Sequence, residues 1–297
     1  MSQSRFSNAA KGRLFLFLTA LLFSTGGAAI KACSLTSWQV AGFRSGIAAA
    51  VLYMLLPGAR PSGQQRWTRS VWLTGLAYAA TLILFVLSTK LTTAANAIFL
   101  QSTAPLYLLL LGPLVLREPI GKIDLVVISV VVAGAALLLS GSDATTSTAP
   151  DPSRGNAMAL AAGLAWALTL TGLRWMGKRP EHGNSSEATV ILGNLIAFAA
   201  CMPMALPIDH ARIADLAVLL YLGIFQIAVA YALLTWSLRE VTGLEAATLL
   251  LIEPVLNPIW TWMIHGERPS AEALWGGVLI ITAAFAGTVW RVKFART

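Results

Sequence analysis

The sequence predicts an all-α integral membrane protein with ten transmembrane helices arranged as two inverted five-helix repeats. Composition is the first observation behind this prediction. Hydrophobic residues make up 57% of the chain and charged residues 11%, and the mean hydropathy is +0.71, whereas soluble domains average about 25% charged residues. The second observation is a stretch near the middle of the chain that recurs 149 residues later.

Apolar runs define the individual helices, because a membrane-spanning helix needs about 20 mostly apolar residues. Runs bounded by charge, Pro or Gly give ten segments: 12–32, 37–56, 70–89, 93–111, 122–140, 155–176, 188–206, 213–236, 244–264 and 271–290. The small, polar, Pro-containing stretch 141–153 (GSDATTSTAPDPS) indicates a flexible linker. It divides the chain into an N-terminal repeat, 1–140, and a C-terminal repeat, 154–297.

The repeated stretch relates the two halves. Its matched positions are Ser88, Lys90, Thr93, Asn96, Ala97, Pro105 and Glu118, which recur as Ser237, Arg239, Thr242, Glu245, Ala246, Pro254 and Glu267. A unit with an odd number of crossings must return in the opposite orientation when it is duplicated in one chain, and such inverted repeats are typical of transporters. The symmetry also pairs segment 12–32 with 155–176, which favours a retained first helix over a cleaved signal peptide.

The positions of Lys and Arg predict the orientation, since positive charge is retained on the cytoplasmic side. Of the 21 Lys and Arg residues, Arg44 falls inside a helix and all but five of the others fall on one side of the ten-helix arrangement. The five on the opposite side are Lys31, Lys90, Arg154, Arg212 and Arg268. We therefore expect a multi-pass protein of the inner (plasma) membrane with both termini cytoplasmic. This orientation accounts for the net charge of +8, so that no nucleic-acid partner is expected.

The ordered motifs resemble those of the EamA-type drug/metabolite transporter superfamily. In each half, a small or acidic residue followed by Pro precedes a loop Glu by about a dozen residues. The two copies are Ala104-Pro105 with Glu118, and Glu253-Pro254 with Glu267. The first copy departs from the family pattern, because LREP (Leu116 to Pro119) stands where a Gly-Glu pair is typical, whereas Gly266-Glu267 keeps the pair.

This resemblance implies an exporter of small metabolites that works by alternating access. Its central cavity would be lined mainly by the first, third and fourth helices of each half. Several members of the family export amino acids, including aromatic ones, so apolar or aromatic amino acids are the expected substrates. Multidrug or cationic compounds and nucleosides remain the alternatives. The implied partners are a small-molecule substrate and the lipid bilayer.

Polar or aromatic side chains at membrane depth are the candidate site residues. Each polar one costs several kcal/mol unless it faces protein, a partner or water. The expected cavity residues are Tyr78, Asn96, Gln101, Trp166, Gln226, Tyr231, Glu253 and Asn257. Amides suit a site that must also release its ligand, since they donate and accept hydrogen bonds without a buried charge. Interhelical hydrogen bonding is the alternative for the polar members, and packing or a membrane-interface position is the alternative for Trp166.

Two of the membrane-depth residues carry ionisable groups. Glu253 is the only carboxylate near the middle of a predicted helix, and a carboxyl group away from water favours the protonated form, so it is a candidate proton carrier. The alternative is that Glu253 pairs with a buried cation. Arg44 is the candidate cation, about 10 Å inside its helix at 1.5 Å per residue. Its other roles would be to bind a substrate carboxylate or to extend its head group to water.

No motif in the sequence indicates catalysis. HExxH, GxSxG and P-loop patterns are absent, so no catalytic residue, cofactor or metal site is expected, and an integral membrane enzyme is the alternative class. Cys33 and Cys201 are too few and too far apart to indicate a disulfide framework. Ten helices in one chain can enclose a pathway, so we expect a functional monomer without an obligate protein partner.

Two further features have a structural interpretation. Glu118 and Glu267 closely precede prolines at the start of a predicted helix, where free backbone amides favour a negative side chain, so both are expected to cap the helix that follows. Gly42 and Gly46 form a face of small residues, as do Ala283 and Gly287, and both faces predict close helix packing.

Overall fold

The computed structural model describes residues 2–56, 68–111, 121–141, 145–177, 185–238, 240–241 and 243–294. Within these ranges the chain is helical, and the only β pairing is an isolated bridge between Thr146 and Ala149. The first seven helices are α1 (Ser2–Ser24), α2 (Gly26–Ala32), α3 (Ser37–Leu55), α4 (Arg69–Leu91), α5 (Ala94–Gln101), α6 (Ala104–Leu111) and α7 (Lys122–Ser140). The others are α8 (Pro152–Gly177), α9 (Ser185–Ala205), α10 (Ile213–Leu220), the π-helical segment Tyr221–Val229, α11 (Ala230–Ser237), α12 (Gly243–Leu250), α13 (Ile252–His265) and α14 (Ala271–Phe294).

Six helical stretches in the described part of the chain are long and apolar enough to cross a membrane. They are Asn8–Ala32, Arg69–Leu91, Lys122–Ser140, Pro152–Met176, Ser186–Ala205 and Ile213–Ser237. The ten predicted segments all fall on helical regions, and the bounds predicted for segment 122–140 are confirmed by α7. The arrangement of ten spanning helices in two repeats stays a prediction.

Two of the predicted continuous segments are broken beside a proline, and segment 12–32 is interrupted at Thr25. Segment 93–111 is interrupted at Ser102 and Thr103, and segment 244–264 is interrupted at Leu251. Pro105 and Pro254 follow these breaks and have no amide hydrogen to donate to the preceding turn, which accounts for the interruptions. The bounds of α5 and α12 are 149 positions apart, the spacing at which the sequence motif recurs.

Small residues hold the long helices close together. Gly42 and Gly46 of α3 lie against α9, because a Cβ atom on either would come within 3 Å of Cys201 or Phe198. Gly287 of α14 lies against Val127 of α7. These contacts confirm the close packing predicted from the small-residue faces. The helices α4 and α8 also pack closely, as do α4 and α9.

Replacing Gly134 by Val is expected to destabilise the pairing of α7 with α14. A Cβ atom at Gly134 would lie 2.8 Å from the carbonyl oxygen of Gly276 and 3.0 Å from Ile280, and a backbone oxygen cannot rotate away as a side chain can. We expect a loss of about 1–3 kcal/mol in the free energy of unfolding, measured by thermal unfolding in detergent. Ala133→Val places the same side chain on the exposed face of α7 and is expected to change little. Equal effects of the two substitutions would contradict the contact.

Candidate functional site

A cavity of about 270 Å³ lies in the centre of the helix bundle. Residues of α1, α3, α4, α5, α6, α8, the π-helical segment, α11, α12, α13 and α14 contribute to its wall. A single chain therefore forms the cavity from both halves of the sequence.

Most of the wall is apolar or aromatic. The aromatic side chains are Phe23, Tyr78, Phe85, Trp166 and Tyr231. A few polar side chains interrupt this surface: Arg44, Thr81, Gln101, Ser102, Gln226 and Glu253. Ligand sites commonly combine an apolar lining with a few placed polar groups that orient the ligand, so the lining suits a small, largely apolar molecule with polar ends.

The two broken helices supply matching parts of the wall. Gln101, Ser102 and Pro105 line the cavity around the first break, and Leu251 and Pro254 line it around the second. Irregular backbone inside a membrane protein is tolerated where it lines a cavity or is covered by protein. The breaks are thus located where the backbone can depart from helical hydrogen bonding.

Arg44 is buried in the wall and is only 1% exposed, so its head group does not extend to the surface. One guanidinium nitrogen donates a hydrogen bond to the backbone oxygen of Leu82 at 3.1 Å, and another donates to Oε1 of Gln226 at 3.4 Å. The third nitrogen, Nε, is buried and makes no hydrogen bond to a described residue. Both acceptors are neutral, so no carboxylate in the described chain neutralises Arg44 by direct contact.

Tyr78 and Tyr231 connect Arg44 to the opposite wall. Their rings meet edge to face with centroids 5.4 Å apart, and Tyr231 interacts electrostatically with both Arg44 and Glu253. Gln226 lies in the nine-residue π-helical segment, a rare conformation that is frequent at functional sites.

The structure brings six of the eight predicted cavity residues to this cavity, together with Arg44. The six are Tyr78, Gln101, Trp166, Gln226, Tyr231 and Glu253. Their part in binding a substrate stays a prediction. Phe23, Thr81 and Phe85 also line the cavity, although the sequence analysis did not single them out. The side of a helix that faces the cavity depends on how the helix is rotated about its own axis. A fully apolar segment has no polar face from which this rotation can be inferred.

Asn96 and Asn257 are not brought to the cavity. The Nδ2 atom of Asn96 lies 3.4 Å from Oγ1 of Thr92 and 3.4 Å from Oδ1 of Asn156, against the start of α8. Asn257 is completely buried and packs on Gly27 of α2. It shares a face with Glu253 but lies about 6 Å farther along α13, where α2 already fills the space.

A buried ion pair joins the end of α2 to the segment before α14. Nζ of Lys31 lies 2.8 Å from Oε2 of Glu267, and the two side chains are 4% and 3% exposed. Lys31 also donates hydrogen bonds to the backbone oxygens of Thr92, at 2.9 Å, and Thr148. Oε1 of Glu267 accepts a hydrogen bond from the amide of Ala94 at 2.6 Å. We call this set of contacts the Lys31–Glu267 lock.

Glu267 therefore caps a different helix from the one expected. The sequence predicted that it would cap α14, which follows it, but its carboxylate caps α5 from a distant part of the chain. A proline-flanked Glu indicates a capping group, whereas the partner helix depends on tertiary structure. Glu118, the other predicted cap, lies outside the described residues.

Two more contacts strengthen the same end of the bundle. The carboxylate of Asp215 accepts hydrogen bonds from the backbone amide and the hydroxyl of Ser34, both at 2.6 Å. Lys90 donates a hydrogen bond to the backbone oxygen of Cys33. Cys33 is buried and free, as is Cys201. Burial raises the pKa of the Cys33 thiol to about 11.

In the described ranges, no three His, Cys, Asp or Glu side chains are grouped so that they could hold a metal ion.

The model of the EamA-like transporter family matches residues 10–140 and 153–287 of the chain. The protein belongs to this family. The resemblance inferred from the sequence is thereby confirmed, and the apolar helices belong to a membrane protein of a transporter family. A crystal structure of another protein shares the fold of this EamA-like chain, with a TM-score of 0.64 at 20% identity over 96% of this chain and 98% of the other.

Relatives of this EamA-like protein include transporters from bacteria and archaea. The pseudopaline exporter CntI from two strains of Pseudomonas aeruginosa is 23% identical over 279 residues, which cover 93% of this chain and 95% of the relative. An uncharacterized transporter of Methanothermobacter thermautotrophicus is 23% identical over 207 residues, or 68% of this chain. That match spans 59% of the archaeal protein's own length.

Replacing Lys31 by Met is expected to cost about 3–5 kcal/mol of unfolding free energy, because it leaves the Glu267 carboxylate buried without its counterion. Replacing Lys31 by Met and Glu267 by Gln together is expected to cost less than the single change. A Gln at 267 carries no charge and still accepts a hydrogen bond from Ala94. Thermal unfolding of the two single variants and the double variant in detergent measures this coupling.

The matched control for this cycle is the exposed pair Arg154 and Asp151, whose nitrogen and oxygen are 3.7 Å apart. Arg154→Met is expected to cost less than about 1 kcal/mol, as is usual for a surface ion pair. If the changes in unfolding free energy caused by Lys31→Met and Glu267→Gln simply added in the double variant, the lock would not act as a unit.

Proposed function

We propose that this protein is an inner-membrane exporter of small metabolites, most of all apolar or aromatic amino acids, and that it works by alternating access through the central cavity. The observation that carries the proposal is the cavity itself, which a single chain encloses between its two halves and which lies beside a buried lock at one end. Membership of the EamA-like transporter family supports transport, and the name of the exporter CntI supports export.

The cavity lining supports a small apolar substrate. Its volume of about 270 Å³ is near the lower limit of roughly 300–1,000 Å³ that is typical of ligand pockets. Trp166 and Phe85 offer flat apolar surfaces on which an aromatic or aliphatic side chain can pack. A large drug would need a wider cavity than this conformation provides.

The repeat spacing supports two inverted halves as the moving parts. The pairs α5 with α12 and α7 with α14 begin 149 positions apart, and both broken helices contribute to the cavity wall. In our proposal, a rocking motion of the halves opens the cavity to one side at a time. The cavity lining continues along α6, α8 and α11 to Leu108, Leu170 and Leu234, away from the lock. In our proposal, the present conformation is closed at the Lys31 end.

Lys and Arg placement supports the remaining parts of the proposal. It assigns both termini to the cytoplasm and the Lys31 end to the opposite face. The single-chain cavity supports a functional monomer. Glu253 remains a predicted proton carrier, to be tested by comparing the pH dependence of transport in wild-type protein and Glu253→Gln.

Replacing Trp166 or Gln101 by Ala is expected to reduce the uptake of labelled phenylalanine into proteoliposomes by about tenfold, which corresponds to ~1.4 kcal/mol. Trp166→Ala removes a packing surface, and Gln101→Ala removes an amide oxygen that is buried without a partner in the described chain. Trp275→Ala is the matched control, since Trp275 is 66% exposed on the outside of the bundle. Uptake at the wild-type rate by folded Trp166→Ala protein would contradict the role of the cavity. If the wild-type protein carried nucleosides or cationic drugs but no amino acid, the class that it carried would replace amino acids as the proposed substrate.

Labelling of Cys33 is expected to report the opening of the Lys31 end. At a pKa of about 11, rather than the usual 9.0, the thiolate fraction near neutral pH is about 100-fold lower. Hydration of the open end would restore this fraction. In a Cys201→Ala background, we expect a membrane-impermeant maleimide to label Cys33 slowly from the non-cytoplasmic side, and faster when Lys31→Met is added. Labelling from the cytoplasmic side would overturn the orientation, and a rate unaffected by the loss of Lys31 would overturn the gating role of the lock.

A further inference from the structure

Two ionisable side chains face the same cavity without pairing with each other. Arg44 lies on α3 and Glu253 in the first turn of α13, and both line the cavity wall. The guanidinium of Arg44 contacts the Leu82 oxygen and Gln226, and no ion pair joins it to Glu253 in the described chain.

Arg44 is the group whose charge requires a partner. A guanidinium stays charged in proteins, whereas a carboxyl group can lose its charge by holding a proton. Elsewhere in the bundle, the buried cation Lys31 has a carboxylate counterion at 2.8 Å. Arg44 is at least as buried but has only neutral acceptors, and its Nε hydrogen is unused. Its environment thus lacks an anion that can accept two parallel hydrogen bonds, which is the arrangement that a carboxylate forms with Arg.

Glu253 lies in another part of the cavity wall, and its carboxyl group provides hydrogen-bond acceptors where Arg44 provides donors. Glu253 is half-buried, and its carboxyl group makes no hydrogen bond or ion pair with a described residue. The break at Leu251 places it at the start of α13, where the wall is irregular. Its oxygens are available to a donor inside the cavity, and an ammonium group carries three such donors.

Between these two groups the cavity is apolar. Tyr78 and Tyr231 lie next to Arg44, and Tyr231 also interacts electrostatically with Glu253. Phe85, Trp166 and the aliphatic side chains form most of the remaining surface. The cavity therefore presents a cation, an acceptor and an apolar compartment, each on a different element.

We propose that Arg44 binds the carboxylate and Glu253 the ammonium group of one zwitterionic ligand, whose apolar side chain packs on the aromatic wall. The assignment rests on the proposed function, since it describes how an apolar amino acid occupies the transport cavity. It makes Arg44 and Glu253 the specificity-determining residues. A ligand that lacks either charged group leaves one of them in the cavity wall without a partner, and such a loss discriminates strongly between similar ligands.

Three related compounds test the assignment: phenylalanine, phenethylamine, which lacks the carboxylate, and 3-phenylpropionate, which lacks the ammonium group. Competition against labelled phenylalanine uptake and the ligand-induced rise in thermal unfolding midpoint are both measured. Wild-type protein is expected to prefer phenylalanine over either analogue by about 10- to 100-fold, as expected for the loss of one hydrogen-bonded charge.

The two variants are expected to shift this preference in opposite ways. Arg44→Gln is expected to bind phenylalanine and phenethylamine equally while still rejecting 3-phenylpropionate. Glu253→Gln is expected to accept 3-phenylpropionate as well as phenylalanine while still rejecting phenethylamine. Arg154→Gln removes an exposed guanidinium, 79% accessible, and is expected to retain the wild-type ratios.

The outcomes separate this inference from the proposed function. If wild-type protein carries phenylalanine but both variants keep the wild-type ratios, the assignment of the two groups is overturned and amino-acid export stands. If wild-type protein carries none of a panel of amino acids, the proposed substrate class itself falls.

Should Arg44→Gln fail to fold, Arg44→Lys keeps the charge without the parallel donors, and it is expected to reduce the preference over phenethylamine severalfold. An unchanged ratio in Arg44→Lys, together with no change in Glu253→Gln, overturns the assignment.

Discussion

A bilayer offers a buried charge neither water nor a counterion, and this constraint organises the whole bundle. Lys31 and Glu267 satisfy it by pairing with each other at 2.8 Å, and backbone groups satisfy their remaining hydrogen bonds. The pair joins the end of α2 to the start of α5 and to the segment before α14. A single interaction thereby connects distant parts of the sequence.

The same constraint applies to the buried polar groups, including those that line the cavity. Polar groups that find partners within the protein, such as Nδ2 of Asn96 with Thr92 and Asn156, belong to helix packing. Other buried polar groups lack such partners in the described chain, both at the cavity, as with Nε of Arg44 and Oε1 of Gln101, and away from it, as with the amide of Asn257. Incomplete pairing is costly for stability, and a ligand in the cavity would complete it for Nε of Arg44, the hydroxyl of Tyr78 and Oε1 of Gln101.

Much of this architecture could be predicted from the sequence, because the membrane imposes a simple rule on helix length. Apolar runs predicted helical regions throughout, and the bounds of α7 agree with the prediction. Buried polar residues in apolar runs indicated most of the polar cavity wall. The helix breaks were not predicted, although Pro105 and Pro254 were their visible cause, and periodicity contains no signal for the π-helical segment. The partner of Glu267 was also missed, because a contact between distant segments depends on how the helices pack.

The Lys31–Glu267 lock has a consequence for biosynthesis. Lys31 emerges from the ribosome long before Glu267, and at about 5–20 residues per second the interval is on the order of tens of seconds. During that time the ammonium group has no counterion, and it must stay among lipid head groups or water at the membrane surface. The first helix can therefore reach its final depth only after the penultimate helix has been inserted. Because Lys31 is synthesised long before Glu267, the ion pair between them can form only late in assembly.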